Sequence, residues 1–199
     1  MDRLFDTYMA RLAYAGCPQR IISKARKHKI EVIAKTNKIP ASQKRIPFVG
    51  PIIKSAHLDY QVLLSMISIN GKKCSTTMDP SIILDEITTP ESLYWIYDVE
   101  IGKATIGKSV SDAKEMIVSQ KRSPLTTTEV ISLCTLTNVI SQHFVWSAGS
   151  RYGDFGYNDH KGIPHVWLNR LCEDELRLDW SLDNYPLSHW GTPSCGDRS

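Results

Sequence analysis

No stretch of this 199-residue chain approaches the roughly 18 to 20 apolar residues that a membrane-spanning helix needs. The N-terminus, MDRLFDTYMAR, sets charges where a secretory signal would place its apolar stretch. Both absences favour a cytoplasmic protein with no membrane partner, and export by a route without a signal is the alternative. The five cysteines, Cys17, Cys74, Cys134, Cys172 and Cys195, are odd in number, scattered, and form no C-x-x-C pair, which suits reduced thiols. Even with His160, His165 and His189 counted in, no pair has the close spacing of a zinc site, so no metal and no cofactor is expected.

Acidic residues are nearly missing from the first quarter of the chain. Through Lys54 only Asp2, Asp6 and Glu31 stand against twelve Lys and Arg, a surplus of nine. The whole chain carries +3, so the remainder is acidic by six. Such a chain folds so that its halves attract, or it presents a basic face to nucleic acid, acidic lipid or an acidic protein. In the second case Arg26, Lys27 and Lys29, within the span Arg20 to Arg45, are the residues that contact the partner's negative charge.

What is present is an ordinary globular composition, 42% hydrophobic and 23% charged, long enough to bury a real core. Leu4, Phe5, Tyr8, Met9 and Leu12 recur at helical spacing, and Gly16 with Pro18 closes that helix. A second helix is predicted over about Gln19 to Asn37, followed by the linker IPASQKRIP and a strand-like FVGPII. His57 to Met66 reads as helix, Asn70-Gly71 as a turn, and Leu93 to Val99 as a buried strand. Ser109-x-x-Asp112 and the capping box Thr126-x-x-Glu129 mark two helix starts.

Between those strand and helix signals lies Gly102-Lys-Ala-Thr-Ile-Gly-Lys-Ser109, which fits the phosphate-loop pattern G-x4-G-K-[ST]. A working loop needs backbone N–H groups free to cradle phosphate, with its lysine opening the helix. Here Thr105 and Ile106 crowd the variable positions, and the helix is expected to start after Ser109, leaving Lys108 outside it. Only Leu176-Arg-Leu-Asp179 offers a later strand ending in an aspartate for magnesium. Nucleotide binding through Lys108 and Ser109 is therefore the disfavoured reading. A hairpin, with Ala104 to Ile106 returning antiparallel, and then a capped helix is expected instead.

The C-terminal third alternates short aromatic strands with Gly- and Ser-rich turns, as an antiparallel sheet does. Its wording, PLTTTE, WSAGSRYGD, IPHVWL, LDW and WGTPSCGDR, together with the upstream IPFV and YWIYDV, resembles an uncharacterised bacterial family classed only as a domain of unknown function. The likeness covers most of the chain. Its strongest motifs, G-S-R-x-G-D and W-G-x-x-S-C, fall on Gly149, Ser150, Arg151 and Gly153 and on Gly191, Ser194 and Cys195, with Pro164, Trp167 and Trp180 between them. The resemblance implies a glycine at Gly102 but not the Gly107-Lys108-Ser109 tail, and it implies no activity.

The fold expected is α+β: a helical basic region over 1–45, then an α+β domain over 46–199 with a mixed or mainly antiparallel sheet and two central helices. The candidate site joins the two glycine-flanked turns. Arg151 offers a planar fork of donors for a carboxylate or phosphate, with Ser150, Asp154, Trp190, Ser194, Asp197 and Arg198 around it. The structural alternative pairs a buried Arg151 with Asp154, Asp179 or Asp197. Cys195 is the candidate nucleophile should His143, His165, His189 or Arg198 lower its pKa; otherwise it is a small buried apolar residue. A small anionic ligand is the first partner expected, and nucleic acid or an acidic protein the alternative.

Overall fold

The helical face read from Leu4 to Leu12 is the inner face of α1 (Asp2–Tyr14), where Phe5, Tyr8, Met9 and Leu12 are buried. The computed structural model describes residues 1–199 apart from Ala41, Gln43, 158–159, 170–174 and 184–185; for 154–157 and 160–161 it describes the backbone alone. The expected long second helix is two, α2 (Gln19–Arg26) and α3 (Lys29–Thr36), broken at Lys27 and His28. The chain turns there because Ile21, Ile22 and Ala25 on one piece and Val32 and Thr36 on the other must all reach the core. The His28 ring at the break rests on Trp95, 5.3 Å between centroids.

The chain continues through β1 (Ile46–Ile52), α4 (Tyr60–Ser65), the small hairpin β2 (Ser68–Ile69) and β3 (Lys72–Lys73), β4 (Ile83–Asp85) and β5 (Tyr94–Val99). Then come α5 (Val110–Ser119), β6 (Ser123–Pro124), α6 (Thr127–Leu136), β7 (Phe144–Trp146), β8 (Ser150–Tyr157), β9 (His160–Asn169), β10 (Glu175–Leu182), β11 (Trp190–Gly191), β12 (Ser194–Cys195) and β13 (Asp197–Arg198). The architecture is α+β. β5 is the centre of a three-stranded antiparallel sheet between β1 and β13. The larger sheet is built on β9, with β10 along one edge and β7 and β8 sharing the other; β4 extends it beyond β8, and β11 joins in parallel, on β7.

One apolar core spans the first helix and both sheets: Phe5 and Tyr8 meet Phe48 and Trp95, and Val130, Leu133 and Leu136 of α6 join them. Helix α6 is buried on nearly every side, including Thr127, Glu129 and Ser132. A helix enclosed this way must satisfy its end groups inside the protein, since water cannot do so. That requirement organises the surroundings of the α6 start.

Candidate functional site

The capping box read from the sequence opens α6. Thr126 Oγ1 accepts the Glu129 N–H, and Glu129 Oε2 accepts the Thr126 N–H at 2.9 Å. Glu129 is fully buried, and Arg198 matches its charge with two N–H donors, assisted by the Tyr94 hydroxyl. Arg198 also donates to the Pro124 carbonyl at 2.8 Å. The next amide, Thr127 N–H, donates to Ser150 Oγ at 2.8 Å, and Ser150 Oγ donates in turn to Asp85 Oδ1 at 2.6 Å. Ser150 is brought this close by Gly149, whose N–H meets the Leu125 carbonyl; a Cβ on Gly149 would lie 2.8 Å from Leu125 backbone.

The two sequence motifs therefore do approach one helix end, but from behind it and through Ser150 and Arg198. In front of that end lies a cavity of about 350 Å³ lined by Lys54, Ser55, Tyr60, Ser81, Asp85, Thr127 and Thr128, among others. Each wall has a local cause. Lys54 and Ser55 follow β1; Tyr60 begins α4, which Asp59 caps by accepting from Gln61 N–H and Val62 N–H. Asp79 caps the 3₁₀ turn Pro80–Ile82, which leads Asp85 into β4 opposite Ser150. Among the described residues the hydroxyls of Thr127 and Tyr60 are buried without a partner, and Thr127 as a residue is 1% exposed. Among the described residues none accepts the Thr128 N–H, and neither Lys54 nor Asp85 is in an ion pair. Asp85 is exposed as a residue, and its carboxyl is tied down by the Ser150 hydroxyl. Burial pushes its pKa above the usual carboxylate range, with the Glu129 charge adding to the rise and Lys54 opposing it. Burial also pushes the Tyr60 phenol up.

The remaining predicted residues lie elsewhere. Cys195 is fully buried, and burial pushes its thiol up to about 12, so at neutral pH it is protonated and unsuited to attack. Ser194 accepts from Arg122 Nε at 3.0 Å and anchors a guanidinium that also grips Asp98. Asp197 pairs with Lys35 across the surface, 2.5 Å from Nζ. Trp190 joins an aromatic cluster, its ring centroid 4.4 Å from His165 and 4.8 Å from Trp146. Arg151 is half-buried in β8 opposite Leu84, the Asp154 side chain is outside the described residues, and so is Cys172. Of the expected pocket of Arg151, Asp154, Trp190, Cys195 and Asp197, the structure puts Trp190 in the aromatic cluster, Cys195 in the core and the Asp197 carboxylate beside Lys35.

Ala104 to Ile106 do not return as a strand. Glu100 accepts the Gly102 and Ala104 N–H groups and folds Lys103–Thr105 into a 3₁₀ turn. The N–H groups of Thr105, Gly107 and Lys108 go to the carbonyls of Gly102, Trp190 and Thr105. Five of the loop's amides, those of Gly102, Ala104, Thr105, Gly107 and Lys108, are thus committed, two of them to a carboxylate that stands in an anion's place. Gly102 is glycine because its φ is +103° and its backbone crosses that of Gly191: a Cβ on Gly102 would lie 2.9 Å from Gly191 C, and one on Gly191 2.3 Å from Gly102 O. Ser109 caps α5, leaving Lys108 outside the helix, and β5 before the loop lies in an antiparallel sheet. In the basic segment Arg26 and Lys27 are exposed, while Lys29 pairs with Asp6 at 2.8 Å and Arg45 with Asp98 at 2.9 Å.

The chain belongs to the family of unknown function DUF5701, matched over residues 11–199. No curated protein and no solved structure matches it. The family span takes in every cavity residue, Lys54 to Thr128, and both supports, Ser150 and Arg198. Sequence reading missed Lys54, Tyr60 and Asp85, which carry no motif. It did hold one usable signal, since Thr126-x-x-Glu129 announces a helix start, and a helix start is an anion site when its donors stay open.

Proposed function

We propose that the cavity at the start of α6 binds a small carboxylated or phosphorylated molecule. The observation that carries this reading is the buried, partnerless Thr127 hydroxyl beside the open Thr128 N–H and the half-buried, unpaired Lys54. Buried polar atoms without partners are uncommon, and three kinds of donor facing one polar cavity supply what an anion requires. The positive end of α6 adds to Lys54, because the charge of Glu129 is matched by Arg198 and so does not offset it. The volume is at the low end of ligand pockets, about 300 to 1,000 Å³, and suits a small metabolite.

Thermal unfolding of the protein with a panel of carboxylated and phosphorylated metabolites tests the reading. At least one compound is expected to raise the melting temperature, and Lys54→Met should abolish that shift. A parent protein indifferent to the whole panel, or shifts that survive Lys54→Met, would overturn it.

A further inference from the structure

Lys54 and Asp85 line the same cavity with opposite charges, yet no ion pair joins them. Opposite charges left apart in one confined space are normally satisfied by water or by something that reaches both. Asp85 Oδ1 accepts from the Ser150 hydroxyl, which holds the carboxylate and leaves Oδ2 without a protein donor among the described residues. Ser150 is itself held by the Thr127 N–H, so the acid and the helix end form one rigid unit. The anionic end of a ligand goes to Lys54, the Thr127 hydroxyl and the Thr128 N–H. Asp85 then stands where it would repel a second negative charge and accept from a cation or hydroxyl.

We infer that the ligand is a zwitterionic amino carboxylate, its carboxylate held by Lys54 and the α6 start and its ammonium received by Asp85. This rests on the anion reading above and narrows it. A dianionic phosphate finds one lysine and a facing carboxylate, which is a poor match of charge; a zwitterion neutralises both side chains and adds no net charge to the cavity. The 350 Å³ space accommodates an amino acid and leaves little room for a nucleotide.

The test is isothermal titration of the full chain with free L-amino acids, each compared with its deaminated carboxylic acid and its decarboxylated amine, and with a panel of phosphate esters. At least one amino acid is expected to bind tenfold or more tighter than both of its partial analogues. Asp85→Asn retains an oxygen for Ser150 and should bring the ratio of amino acid to deaminated acid near one, while Lys54→Met should remove binding of both. If deaminated acids or phosphate esters bind as tightly as amino acids, the zwitterion inference fails and the anion reading stands. If no acid of any kind binds, both fail. Titration of the parent protein decides between these outcomes even where a variant does not fold.

Discussion

Arg198 lays two guanidinium donors on the two oxygens of Glu129, Nε to Oε1 at 2.7 Å and Nη2 to Oε2 at 3.0 Å, beneath the first turn of α6. Sixty-nine residues apart in sequence, the pair ties the end of the described chain to the most enclosed helix. Removing one partner of such a pair strands a charge with no water to receive it. Arg198→Met is expected to cost about 3 to 5 kcal/mol, and Arg198→Lys less, because an ammonium keeps the charge but loses the parallel fork. Pairing Arg198→Met with Glu129→Gln should recover part of the loss. Urea unfolding of the three variants measures this, and equal stability of the single and double changes would show that the stranded charge is not what matters.

How much of this was legible beforehand depended on sequence distance. Ser109 and Thr126 cap their helices within three residues, so both starts could be read from spacing alone. The Asn70-Gly71 turn and the β-rich Tyr94–Val99 were equally local. The contact of Ser150 with Asp85 bridges 65 positions, and no periodicity encodes it. The motif reading reached Ser150 and Arg198 but assigned them to ligand contact, because the glutamate that Arg198 serves had already been explained as a cap. The break at His28 was hidden for a related reason: Ile21 to Thr36 has helical spacing throughout, and only the need to aim two apolar edges inward divides it.

His165 supplies a pH prediction. It is almost wholly buried against Trp146 and Trp190, and burial drives its pKa from 6.5 down to about 3. The unfolded chain therefore takes up a proton that the fold refuses. The contribution of neutral His165 is complete above about pH 6.5 and is lost as pH falls toward 3, a drop on the order of a few kcal/mol. The raised Asp85 carboxyl works the opposite way, so its contribution falls as pH rises through its folded pKa. Stability measured by urea unfolding from pH 7 to pH 4 should fall less steeply in His165→Phe than in the parent. Parallel slopes would assign the acid sensitivity to other groups.

For the phosphate-loop sequence the expectation is silence. Lys108 is exposed one position before the cap of α5, and its own amide and that of Gly107 are already bonded to the protein. Lys108→Ala should change stability by no more than about 0.5 kcal/mol. Neither parent nor variant is expected to bind magnesium-ATP or magnesium-GTP in equilibrium dialysis. Binding by the parent that disappears in the variant would restore the nucleotide reading.

Thr127 separates function from stability. Its hydroxyl is buried and bonded to nothing, a cost that the free protein bears and a bound anion would remove. Valine has nearly the same shape without the oxygen, and Thr127→Val leaves the backbone amide on Ser150 in place. The free variant is thus expected to be as stable as the parent or more so, by up to about 1 to 2 kcal/mol, because a buried orphan is replaced by an apolar group. Ligand affinity should fall at the same time, since one of the few donors in the cavity is gone. Chemical unfolding and titration of the same preparation read the two effects independently. A hydroxyl kept only for folding would give a variant that is less stable with unchanged binding, and that outcome would remove the main support for a ligand at this helix end.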